Sequence, residues 1–167
     1  MPLAATIKAS IKAKHTRNLD LGTPAFDLSK AIEIALSSGV SAGQADLMFT
    51  DTRTVAASGT DALDLAGGLT DAYGTSLTFV EVRAVLVAAA AGNTNNVRVN
   101  RPSSNGVPLF LAASDGIDVP PGGVFLWTCP ADGKVTVTAS TGDLLNIDNS
   151  SSGTSVTYDV VILGTSA

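Results

Sequence analysis

Residues able to do chemistry are few and scattered here. The 167 residues include one histidine, His15, and one cysteine, Cys129. A histidine serving as general base needs an oriented partner in a pocket, and His15 stands between Lys14 and Thr16 in a basic stretch, so a surface position is expected. A lone cysteine excludes an intrachain disulfide and a multi-thiolate metal site. Flanked by Trp127-Thr128 and Pro130 at the end of an apolar run, Cys129 reads as a small buried hydrophobe. The one Gly-x-Ser-x-Gly string, Gly39 to Gly43, lies in a Gly/Ser-rich stretch with no helical pattern after it and so lacks the strand-turn-helix context of a nucleophile elbow; no Gly-Lys-Ser/Thr follows a glycine-rich turn, and neither Gly67-Gly68 nor Gly122-Gly123 precedes a helical pattern. Asp115 to Asp118 and Asp143 to Asn149 offer the oxygens that calcium prefers, but their spacing matches no defined calcium loop. Their Asp and Asn side chains are read as stabilising turns through their own backbone. No catalytic residue, cofactor or metal is therefore expected.

Charge directs attention elsewhere. Charged residues make up 15% of the chain, against roughly 25% in ordinary soluble domains, while 45% is hydrophobic. Such a surface suits a protein partly covered by another protein, because interface cores are depleted in charge. The net charge of −5 is uneven: residues 1–30 carry five basic groups against two acids, and the remainder five against thirteen. The basic head has Phe26 as its only aromatic, too little stacking surface to suggest direct nucleic-acid binding. No run approaches the ~18 apolar residues that cross a bilayer, and Lys8, Lys12 and Lys14 interrupt the first residues where a secretion signal would be continuous. The chain is expected to be made in the cytoplasm, away from membranes.

Period-two alternation must position whatever surface matters. Ile7, Ala9 and Ile11 share one face of an extended segment, and Lys8, Ser10, Lys12 and Lys14 share the other. Ile32, Ile34 and Leu36 alternate with Ala31, Glu33 and Ala35, although Ala, Leu and Glu leave a helix open there. Ser37 to Gly43 reads as a linker, which divides the chain into a basic arm and small β or irregular region over 1–43 and a body over 44–167. In the body, strand-like runs recur between Gly, Asp, Asn and Pro clusters; among them are Ser76 to Ala88, Val107 to Leu111, Lys134 to Thr138 and Val156 to Leu163. Helix-length windows are all punctuated, so the predicted fold is all-β, an antiparallel β-sandwich or jelly-roll-like body with an extended N-terminal arm. Phe110, Phe125 and Trp127 are expected in the core, with Val107 to Leu111 open to an exposed role.

Asp51-Thr52-Arg53-Thr54, Leu63-Asp64-Leu65-Ala66-Gly67, Leu69 to Gly74, Pro120 to Gly123 and Thr157 to Ile162, taken together, resemble segments of small virion proteins of tailed bacteriophages. The similarity extends over Ala45 to Ala167 and lies in overall pattern. It implies a protein that decorates the phage head and cements the shell of major capsid protein, without catalytic residues. Partners would be the major capsid protein and further copies of the chain, with a trimer suited to a shell rich in three-fold sites, and the location the capsid surface. Ile7, Lys8, Ile11, Lys12, Lys14 and Arg17 are then the candidate interface, with Met1 to Asp20 adding a strand to a neighbour and the lysines setting register. Two alternatives stand beside this reading. One is a tail or fibre component contacting the host through Asn93 to Asn96 or Asn149 to Ser152; the other is a carbohydrate-binding β-sandwich module.

Overall fold

The computed structural model describes residues 2–167. Strands and turns account for the whole of it, and no helix forms, so none is long and apolar enough to cross a membrane. The segment over Ile32 to Leu36, where a helix is open, lies inside a strand: Ile32, Ile34 and Leu36 fall on one face at period two, and burial along that face rises from exposed Ile32 through Ile34 to buried Leu36.

Two four-stranded sheets carry the body. The first has the order β10 (Gly116–Val119), β9 (Val97–Asn100), β12 (Leu144–Asn149), β5 (Thr60–Asp64). The second has the order β11 (Val124–Thr128), β8 (Glu81–Ala89), β13 (Val156–Thr165), β4 (Leu47–Val55). Every pairing in both is antiparallel. One continuous core joins them: Val99, Leu145 and Ile147 of the first meet Val87, Val160 and Ile162 of the second. Val156, Tyr158, Val160 and Ile162, predicted to share a face, are all fully buried in it. Burying side chains of this size contributes about 1.5–3 kcal/mol each, which makes this contact the main source of stability. Phe110, Phe125 and Trp127 pack against the same core from its margin.

Several predicted runs take other forms. Ser76 to Ala88 breaks into β7 (Ser76–Thr78), paired with β6 (Ala66–Thr70), and β8, with Phe79 buried between them. Val107 to Leu111 is a turn, because Pro108 has no N–H to give a ladder; Val107 is buried and Leu111 fully exposed. Lys134 to Thr138 forms only isolated bridges, yet it buries Val135 and Val137 by pairing with the junction around Val80 and Val82. Strand β10 was not predicted, since Asp115-Gly116 reads as a turn.

A β-bulge shapes the centre of the second sheet. Leu163 pairs with Ala84 and Gly164 with Val82, which leaves Arg83 as the extra residue and shifts the alternation of β8. Val82 and Val85 both reach the core as a result, and Arg83 is turned to the far side of the sheet.

The remaining strands, β1 (Ala5–Thr16) and β2 (Ala25–Ser38), form one antiparallel hairpin in unbroken register from Ala5 opposite Leu36 to Thr16 opposite Ala25. Its root rests on the outer face of the second sheet, where Leu36 and Ala45 bury Ala84 and Leu163 with help from Leu3, Ala5, Ile7 and Ile34. The segment after β2, read as a linker, is held firmly in place. Ser37 and Ser38 pair in parallel with β3 (Gln44–Ala45), Gly43 adopts a left-handed φ of 72° suited to glycine, and its N–H donates to Pro130 O at 2.8 Å.

Candidate protein interface

The structure brings the six predicted interface residues onto the hairpin but divides them between its faces. Residues directly opposed in an antiparallel pair point to the same side. Ile7 opposes Ile34, Ala9 opposes Ile32, Ile11 opposes Lys30, Ala13 opposes Leu28 and His15 opposes Phe26, so these form an apolar stripe along one face. On the other face Lys8 opposes Glu33, Lys12 opposes Ser29 and Lys14 opposes Asp27. Lys8 and Glu33 form an ion pair at 3.2 Å, too exposed to contribute more than about 1 kcal/mol. Arg17 lies just beyond β1, where its N–H donates to Pro24 O at the approach to the turn. At the tip, Leu19 and Gly22 exchange backbone hydrogen bonds around Asp20 and Leu21.

Exposure separates root from tip. Ile7 and Ile34 are partly buried against the sheet, whereas Ile11 is 66% exposed, Phe26 66% and Ile32 56%. Twelve residues of β1 span roughly 40 Å, so the outer part of the hairpin projects beyond the contact at its root. A two-stranded hairpin standing alone in water is marginal, and singly exposed apolar side chains are ordinary while a contiguous stripe is not. The prediction centred on β1; the stripe needs Phe26, Leu28 and Ile32 of β2 as well. Their signal was in the sequence, because Phe26, Leu28, Ile32, Ile34 and Leu36 all fall at even spacing with only Lys30 interrupting.

What fixes the hairpin to the body is Arg83, which composition and motif could not single out. Its side chain is 1% exposed and donates to Val40 O and Gln44 O, each at 3.3 Å, to Ala131 O, and to Asp132 Oδ1. Glu81 Oε2 lies 2.7 Å from Arg83 Nη1 without the alignment of a hydrogen bond, so that contact is Coulombic; Glu81 Oε1 accepts from the Gly133 N–H. One buried cation thus ties the loop after β2 to the loop after β11. The signal available was a single charge at position 83 inside the apolar run Val82 to Ala91.

A second polar cluster joins the two sheets at their other side. Arg53 of β4 donates through Nε and Nη2 to both oxygens of Asp61 on β5, and the Tyr158 hydroxyl donates to Asp61 Oδ2 at 2.8 Å. Burial would push the Asp61 carboxyl up, but hydrogen bonds from Arg53 and Tyr158, with the Arg53 charge, outweigh it and hold the group below the usual carboxylate range. Burial and the neighbouring Asp61 raise the Tyr158 phenol well above its ordinary value. The adjoining depression, about 400 Å³ and lined by Arg53, Val55, Gly59 and Asp61 among others, is open to solvent. With Asp61 satisfied by two partners, the cluster orders two edge strands.

Among the described residues no three His, Cys, Asp or Glu side chains gather as a metal-binding group. Asn93 to Asn96 and Asn149 to Ser152, the loops of the host-contact alternative, are bound to each other: Asn95 Nδ2 donates to Asn149 Oδ1, and Asn93 pairs both ways with the Thr157 backbone. No family model, curated protein or solved structure matches this chain.

Proposed function

We propose that this chain is a non-enzymatic bacteriophage virion structural protein, a capsid decoration protein that binds and stabilises the shell of major capsid protein. The observation that carries the reading is the projecting hairpin, with an apolar stripe on one face and Lys8, Lys12 and Lys14 on the other, which is built to be covered. In this reading the two four-stranded sheets pack face to face as a β-sandwich and the hairpin is the arm that reaches a neighbour. Arg83 holds the arm's root while its length stays available for contact. The charge pattern supports a protein partner: lysines confer orientation and speed of encounter, and the apolar stripe supplies affinity once desolvated. Each contact can be weak, because copies on a symmetric shell make later contacts effectively intramolecular.

The direct test is a cryo-EM reconstruction of the particle that carries the chain. Ordered density across the head surface, with the hairpin on shell or neighbour, supports decoration. Density confined to the tail would overturn it and shift attention to the linked Asn93–Asn96 and Asn149–Ser152 loops as a host-contacting end. As a companion, Lys8→Glu with Lys12→Glu and Lys14→Glu should lower occupancy on purified heads by tenfold or more. These substitutions are preferable to removing Met1 to Asp20, because all of β1 is paired and its loss would strip β2 and uncover Leu36.

A further inference from the structure

The outer face of the second sheet has an unusual composition. Alternation sends Met48, Val161, Leu86 and Leu126 outward, with Val124 on the β11 edge, while Thr50, Thr52, Thr54, Thr157 and Asp159 are the other outward side chains of β4 and β13 clear of the hairpin root; with Arg83 buried under the loops, Asp159 is the only exposed charge among them. An antiparallel sheet that faces water is normally polar on that side. The hairpin root already covers one end of this face, where Ile7, Ile34 and Leu36 meet Ala84 and Leu163. Next to it lies an apolar groove of about 380 Å³ between Ala5 and Ile7 on one side and Leu86, Leu126 and Val161 on the other. Beyond the groove Val124 is 62% exposed.

Two leftover surfaces therefore exist: the outer half of the hairpin's apolar stripe, and the part of the sheet face its root does not reach. They are continuations of two surfaces that already pack against each other within the chain. From these matched remainders we infer that a second copy of this chain covers both, each copy laying the outer half of its hairpin stripe on the other's β11–β8–β13–β4 face. This refines the partner in the proposed function and rests on that reading only in supposing that the hairpin is an arm.

Charge agrees with the choice of occupant. Through Ser38 the chain has five basic groups against three acids, and from Gly39 onward five against twelve, so the hairpin of one copy is drawn to the body of another. On the docking faces themselves, Lys30 of the stripe meets a surface whose one exposed charge is Asp159. Edge pairing of two β1 strands is disfavoured by the same logic, because both edges carry Lys8, Lys12 and Lys14, and an antiparallel alignment about Ile11 sets Lys8 across from Lys14 of the other copy.

Area decides the symmetry. The outer half of the paired hairpin is roughly 20 Å by 10 Å, so one seat buries on the order of 400 Å² over both partners, while a stable interface needs about 1,000 Å². One seat is far too small, whereas two reciprocal seats, on the order of 800 Å² together, come close to that size, which favours a two-fold pair.

Sedimentation of the full chain from about 1 to 100 µM reads the inference directly. Wild type should sediment as a dimer, and Ile11→Lys with Ile32→Lys should be monomeric with an unchanged circular dichroism spectrum, since both side chains are mainly exposed in the single chain. Val124→Lys, on the acceptor face, should weaken dimerisation at least tenfold. In a Cys129→Ser background, Ile32→Cys combined with Val124→Cys should give a disulfide-linked dimer on oxidation. A monomeric wild type at 100 µM, a dimer unaffected by the paired lysine substitutions, or absence of the cross-link would each overturn the inference. Attachment to heads is read separately: a monomer that still decorates heads removes this inference and leaves the proposed function, and a dimer absent from heads does the reverse.

Discussion

Replacing Arg83 by methionine isolates what the buried cation contributes. The substitution keeps most of the side-chain volume and removes the guanidinium, so three carbonyls, Val40 O, Gln44 O and Ala131 O, lose their donor. The carboxylates respond unequally. Asp132 is 54% exposed and recovers its solvation, so that ion pair counts for about 1 kcal/mol or less. Glu81 is 14% exposed and keeps only the Gly133 N–H, so it becomes a nearly buried charge without a counter-ion. Breaking a buried pair in this way costs about 3–5 kcal/mol, a large part of the roughly 5–15 kcal/mol that stabilises a typical domain. Urea unfolding followed by the single tryptophan is suitable, because Trp127 pairs with Val85 two residues from the site. Hydrogen exchange at Ser37 to Ala45 should accelerate more than at β12. Adding Glu81→Gln should recover about 1–2 kcal/mol by removing the stranded charge. A loss under about 1 kcal/mol, with the Ser37 to Ala45 amides protected as in wild type, would refute the argument that Arg83 anchors the hairpin.

Two further outcomes follow from other parts of the molecule. The lowered Asp61 pKa means its stabilising contribution is complete above the ordinary carboxylate range near pH ~4 and is lost as pH falls through its folded value, with Arg53, Asp51 and Tyr158 as the neighbouring titratable groups. The difference in urea midpoint between wild type and Asp61→Asn should therefore shrink from about pH 6 to about pH 2, and a constant difference would contradict it. Gly164→Ala should cost about 1–3 kcal/mol, lowering the thermal midpoint by several degrees, because an added Cβ would meet the Glu81 carbonyl and the Phe79 ring too closely to fit. An unchanged midpoint would mean that the bulge at Arg83 relaxes freely.

The parts of the fold legible in the sequence were those where alternation runs unbroken. Val156 to Ile162 shows its faces directly, because a strand with one buried side writes its burial at every second residue, and Ile7 to Ile11 shows the same alternation although only Ile7 of its apolar face is partly buried. What escaped was set by contacts distant in sequence. The parity change at Arg83 depends on Leu163 and Gly164, and the fixing of Gly43 depends on Pro130, neither of which leaves a local mark. Lys134 to Thr138 looked like a strand because Val135 and Val137 are buried, yet burial there comes from bridging a strand junction and builds no ladder. Of the interface candidates, the β1 residues were visible as an alternating basic and apolar run. The β2 half was obscured by Lys30 and by a composition equally friendly to helix.

The position of β13 in chain order governs when the fold can close. It is the central strand between β8 and β4, although it follows every other strand, so the second sheet remains split until it arrives. Before then β8 and β4 each present an unpaired edge, and the slot between them would accept a strand from another molecule as readily as its own. Pairing so distant in sequence is slow, since loop closure must precede any stabilising contact. During synthesis the chain therefore has an interval in which the first sheet and the hairpin exist but the seat for the hairpin root, which includes Leu163, does not. Premature docking of an arm from another copy is curbed by the same arrangement, because the outer face on which it could settle is completed only by the strand that also seals the core.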